Sequence, residues 1–224
     1  MTTPPVVLPH YVALSALLQY PEQALLDSLP EIAAALAAEP VLLASVAPLL
    51  DYLSGGELID LQQEYVATFD RNPSHSLHLF EHVHGESRDR GQAMVDLMEE
   101  YKRHGVQMQG DDLPDYVPLF LEFLALQGEQ EAGRLLGEAI HVLAHVGRKL
   151  HESQSPYARL FDTLELLSAV APQPLEVAPV RDMDEALETF GPAVDGAEPL
   201  LKGVAGGVQP INFYPAARRH SKTA

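Results

Sequence analysis

The stretch "EQEAGRLLGEAIHVLAHVGRKLH", Glu129–His151, sets the fold class. Leu135, Leu136, Ala139, Leu143, Val146 and Leu150 recur at steps of three and four, the spacing of one helix face. Arg134, Glu138, His141, His145, Arg148 and Glu152 fall on the other side and read as a solvated, charge-laced face. So long an amphipathic helix needs apolar partners, and the rest of the chain must supply them.

Helical periodicity dominates on both sides of it. "YVALSALLQYP" places Leu14, Leu17 and Leu18 together and stops at Pro21; "PEIAAALAAEP" and "VLLASVAPLLDYL" are further short, proline-bounded helices. "GGELIDLQQEYVATFD" sets Leu58, Leu61, Tyr65 and Phe69 on one stripe. Ser87 reads as the N-cap of a helix running to about His104, with Gly105 as its stop and Met94, Leu97, Met98 and Tyr101 as its apolar side. Pro114 is expected to open "PDYVPLFLEFLALQ", apolar nearly all round and therefore buried. Ser155-Pro156 starts a last helix ending near Val170. No alternating strand appears. The expectation is an all-α single bundle of about eight helices over residues 1–170, with 171–224 a proline- and glycine-rich flexible tail in which only "DMDEALETF" can form a short helix.

Composition narrows the function. The net charge of −18 disfavours nucleic acid, whose phosphates would be repelled, and is compatible with a basic peptide. Nine acids precede the first base, Arg71, so neither a secretory nor a twin-arginine signal is expected. No apolar run is long enough to insert into a membrane. The absence of cysteine removes disulfides, thiolate metal sites and a cysteine nucleophile. A cytoplasmic location is the expectation.

Chemistry-bearing residues concentrate in "HLFEHVHGESRDRGQAM", His78–Met94. His78, His82 and His84, with Glu81 and Glu86 alongside, raise the question of a metal site. On a helix, however, His84 would point away from the other two, and no HExxH or GxxxxGK[ST] pattern exists. The stretch reads as a structured turn, with Arg88 or Arg90 pairing with nearby acids or lying in a solvated first turn. In "DDLPDYVPLFLEF", Asp115 and Glu122 are seven apart and would share one side of a helix begun at Pro114, flanked by Tyr116, Leu119 and Phe120. Two readings stay open. They form the acidic edge of a groove for a basic amphipathic peptide, or Asp115 complements the helix N-terminus while Glu122 faces solvent.

"HVHGESRDRGQAMVDLMEEY" followed by "LPDYVPLFLEFLA" resembles the respiratory nitrate reductase delta-subunit proteins of the NarJ type, within the TorD/DmsD group of chaperones for molybdenum enzymes. "EYVATFD" and the late "VQPINFYP" are similar to segments of the same group, and the resemblance covers most of Tyr11–Val170. It implies an all-helical, non-catalytic protein. Such a chaperone binds the immature catalytic (alpha) subunit of respiratory nitrate reductase, its N-terminal segment included, while molybdenum–bis(guanine dinucleotide) is inserted. No permanently bound cofactor is implied. The group's Pro-Asp-His recognition motif falls on Pro114, Asp115 and Tyr116, a tyrosine replacing the histidine, and Glu64, Tyr65, Phe69 and Glu81 would line the same groove. The competing reading is a metal-dependent hydrolase using His78, His82 and His84.

Overall fold

The computed structural model describes residues 7–84 and 88–175, the Arg88 side chain excepted. The long amphipathic segment is the helix α8 (Glu129–Glu152), and it is the central element. Ala132, Leu135, Leu136, Ala139, Ile140, Val142, Leu143, Val146 and Leu150 are all fully buried on it. α9 (Ala158–Leu167) folds back along α8, so closely that a Cβ on Gly147 would lie 2.9 Å from the Phe161 Cβ. A glycine there lets two helix backbones approach.

The remaining helices wrap this pair. α1 (Pro9–Leu17) packs on α7 (Val117–Ala125), which packs on α8. The Ser15 hydroxyl donates to the Pro118 carbonyl at 2.9 Å, and Leu8 N–H donates to Ala125 O at 2.8 Å. α2 (Gln23–Leu36) joins α1 to α3 (Pro40–Gly55), and α3 packs on α9, where Thr163 Oγ1 donates to Ser45 Oγ at 2.8 Å. α4 (Leu58–Tyr65), the one-turn α5 (Glu81–His84) and α6 (Arg88–Arg103) complete nine α-helices among the described residues. No strand forms among them, and the all-α expectation holds.

Four boundaries differ from the sequence reading. α2 begins at Gln23 and runs through Pro30, the residue expected to open it, because packing outweighs one lost backbone bond; α3 carries Pro48 within it as its quoted stretch did. α9 ends at Leu167, and Ser168–Leu175 turn back over α8, with Gln173 N–H donating to His141 Nδ1 at 2.9 Å. α7 begins at Val117 rather than Pro114, since Tyr116 is extended at φ −67°, ψ 121°. α4 continues as a π-turn, Val66–Asp70, in which Arg71 N–H reaches back five residues to Val66 O. The helix over Arg88–Arg103 ends as expected at Gly105, which takes φ +75°. Its proposed cap Ser87 and the segment "DMDEALETF" lie outside the described residues.

Candidate functional site

Two loops meet at the start of α7. Residues 77–80 and 114–117 pair as a short antiparallel bridge, Leu79 N–H donating to Asp115 O at 3.0 Å and Val117 N–H to Leu77 O at 2.8 Å. Asp115 closes the seam with its side chain. It has no exposed surface; one carboxylate oxygen accepts from Phe80 N–H at 3.0 Å and the other lies 3.3 Å from His78 Nδ1. From the far side Tyr101 donates to Pro114 O at 2.7 Å. Burial first, and the Asp115 charge second, push the Tyr101 phenol far above its ordinary range.

The expected pairing of Asp115 with Glu122 along one helix side therefore does not occur. Asp115 precedes the helix and is buried, whereas Glu122 is exposed on α7, 3.4 Å from the Ser15 hydroxyl on α1. A β-configured residue before a helix breaks the seven-residue register on which that expectation rested.

On the solvent side of the seam lies a cleft of about 260 Å³. Tyr20, Tyr65, Phe69, Asp70, Ser76, Leu77, His78 and Tyr116 line it. Its floor is aromatic: Tyr65 packs against Phe69 at 4.8 Å between ring centroids and edge-on against Tyr20 at 5.5 Å, and Tyr157 closes the group from behind. The Tyr65 hydroxyl donates to Leu18 O at 2.8 Å and is hydrogen-bonded to Tyr116. Burial, then Tyr116, push the Tyr65 phenol far up. Tyr116 is raised too, chiefly by burial, with the Tyr65 bond opposing and Asp112 and Asp70 adding to it. Both therefore stay neutral donors at physiological pH.

The π-turn is what sets this wall. Widening the last turn of α4 keeps both Tyr65 and Phe69 buried while leaving Asp70 exposed at the mouth. His75 holds it in place, with Nδ1 3.0 Å from Thr68 O and Nε2 3.2 Å from Lys149 O on α8. A broader, open depression of about 710 Å³ adjoins the cleft through the shared Tyr20, lined by Ile59, Asp60, Gln63, Glu64 and Arg71 among others.

Of the sequence-named residues, Tyr65, Phe69 and Tyr116 reach the cleft and Glu64 the adjoining depression. Pro114 and Asp115 lie behind the wall, and Phe120 is wholly buried in the core. Leu119 is half-buried on α7, and Glu81 pairs with Arg90 at 3.0 Å across the α5–α6 junction. Tyr20 and Tyr157 were missed. Tyr20 was detectable: it is an aromatic immediately before a helix-terminating proline.

The three histidines do not converge. His78 faces Asp115, His82 Nε2 is 2.8 Å from Ser76 O, and the His84 ring meets Phe80 edge-on. Among the described residues, ligand atoms close enough to share an ion occur instead at Glu100, His104 and Glu131. Arg103 and Arg134 already pair with those carboxylates. Arg134 also pairs with Glu138, so this end of α8 is the salt-bridged surface that its charge pattern led one to expect.

The structure is a helical body with a small aromatic cleft and Asp70 at its mouth, and its family and relatives set it in the class of assembly chaperones, not of catalysts. Residues 37–163 match the family described as nitrate reductase delta subunit, and the chain belongs to that family. It is 42% identical over 188 residues to the nitrate reductase molybdenum cofactor assembly chaperone NarJ of Escherichia coli K12, covering 82% of this chain and 79% of the relative. The probable chaperone NarW of the same organism is 46% identical over 112 residues, 50% of this chain and 48% of that one. The probable NarJ of Bacillus subtilis is 30% identical over 104 residues, 46% and 56% of the two chains.

Proposed function

We propose that this protein binds the immature catalytic subunit of respiratory nitrate reductase and holds it during molybdenum cofactor insertion, seating its N-terminal segment in the Tyr65–Tyr116 cleft. The observation that carries the binding step is the cleft itself. About 260 Å³ is small beside the roughly 300–1,000 Å³ of ordinary small-molecule pockets, but suits one or two side chains of a peptide. The adjoining depression gives such a peptide room to continue. Asp60, Glu64 and Asp70 on this surface outnumber the single Arg71, and Asp112 is near enough to act on Tyr116. That balance favours a segment with basic residues beside an apolar anchor.

Cofactor chemistry belongs to the client in this reading, and the molybdenum–bis(guanine dinucleotide) group is not retained by the chaperone. The names of the relatives support the assembly role. The chaperone acts in the cytoplasm in this reading, before the client reaches the membrane. No helix among its described residues is long and apolar enough to cross a membrane. The test is calorimetric. Peptide from the host catalytic subunit's N-terminus should give saturable heat, weakened by Tyr116→Ala and by added salt, while a scrambled peptide should not. Equal heats from native and scrambled peptides would sink the proposal.

A further inference from the structure

Charge along the chain is not uniformly acidic. Residues 199–224 contain Lys202, Arg218, Arg219 and Lys222 and no acid after Pro199, while the remaining residues carry ten bases against 32 acids. Within that basic stretch, "VQPINFYPAARRHSK", Val208–Lys222, sets Ile211, Phe213 and Tyr214 a few residues before the arginine pair. Apolar anchors followed by paired cations are the chemistry that suits the aromatic cleft with Asp70 at its mouth and the adjoining depression with Asp60 and Glu64. We infer that Val208–Lys222 is an internal ligand of this cleft and that an incoming client segment must displace it. The inference rests on the cleft being the client site and adds its regulation.

Reach is sufficient. The described body ends at Leu175, which packs against the core, and 32 residues lie between it and Val208. Thirty-two residues can span up to about 110 Å when fully extended. A body of this size has a radius of gyration of about 16 Å, so any of its faces is accessible. Tethering also compensates for weak intrinsic binding. A segment held at an effective concentration of about 1 mM competes roughly tenfold even when its own Kd is only about 0.1 mM. The aromatic floor buries the anchor side chain, and Asp70 at the mouth with Asp60 and Glu64 in the adjoining depression select for the cations that follow it. Competition of this kind shields the cleft until a better-matched segment arrives, and it returns the cleft to the tail when the client leaves.

The test uses the full chain throughout. A synthetic peptide of residues 208–222 is titrated into the wild type and into Arg218→Glu/Arg219→Glu. Because the protein contains no tryptophan, Tyr214→Trp supplies a separate emission probe of the tail itself. The expected results are about three- to tenfold tighter binding of the peptide to the charge-reversed chain than to the wild type, a few-fold weakening of that binding when Glu64→Gln/Asp70→Asn is added, and an indole emission from the Tyr214→Trp chain that moves to longer wavelength as peptide displaces the tail. Equal affinity for the two chains overturns the internal-ligand inference while leaving the cleft intact as a client site. Binding left unweakened by Glu64→Gln/Asp70→Asn overturns it by placing the segment elsewhere. Failure of the peptide to bind either chain also overturns it, and the catalytic-subunit peptide titration then judges the client site independently.

Discussion

Two aspartates border Tyr116, and water separates their roles. Asp115 has no exposed surface; its carboxylate holds Phe80 N–H and lies beside His78, joining the loop before α5 to the start of α7. Asp70 stands exposed at the cleft mouth. An acid buried against a backbone donor stabilises a fold, because removing it leaves that donor unsatisfied. An acid left in water is free to meet an incoming cation, at the cost of being screened by salt. The wall and the mouth of the cleft thus use the same residue type for opposite purposes.

The sharpest way to break that division is Asp115→Ala. Orphaning the Phe80 donor should cost about 3 kcal/mol, lowering the melting temperature by roughly 6–12 °C for a domain of this size. A melting temperature close to that of the wild type would make Asp115 a surface group after all. Next comes Tyr116→Ala, which removes the anchor contact and should weaken catalytic-subunit peptide binding by about 2 kcal/mol, roughly thirtyfold in Kd. Unchanged affinity in a folded variant would move the binding surface off this cleft.

Smaller still is the effect of Glu64→Gln/Asp70→Asn. Exposed rim charges are worth about 0.2–1 kcal/mol each, so affinity should fall a few-fold, the salt dependence should flatten, and the melting temperature should stay put. A large drop in melting temperature would mean that the mouth, too, is structural. The least effect concerns pH. Burial lowers the His84 pKa from its usual 6.5, with Arg90 adding to the shift and Asp89 opposing it. On acidification below 6.5 the unfolded chain takes up this proton before the folded one does, so stability falls as pH drops through that window. Thermal melts of His84→Gln from neutral to mildly acidic pH should show a shallower decline than wild type.

Much of the fold was legible because helix periodicity is a local property. Leu135 through Leu150 on α8 and the Gly105 stop of α6 needed nothing from the rest of the chain. Pro30 misled, since proline bounds a helix only when tertiary packing does not carry the helix through it. The site was harder. Tyr65 and Phe69 were named as groove residues from a resemblance and Tyr116 from its place beside Asp115 as well, and the structure brings the three together at one cleft. The π-turn that sets the Tyr65–Phe69 wall depends on a one-residue change in hydrogen-bond register, for which "EYVATFD" carries no signature. Asp115 and Glu122 were paired by helix arithmetic that fails as soon as the helix starts three residues later. The long-range bridge between residues 77–80 and 114–117 has no local sequence pattern behind it.

The central claim is that the Tyr65–Tyr116 cleft, and no other surface, receives the client's N-terminal segment. Photo-crosslinking from a benzophenone-bearing catalytic-subunit peptide, mapped by mass spectrometry, tests it most directly. The account predicts crosslinks on Tyr20, the end of α4 and Tyr116, lost under competition with unlabelled peptide. Crosslinks concentrated instead in the open groove between α2 and α3, at Leu26, Leu50 and Leu53, would contradict it.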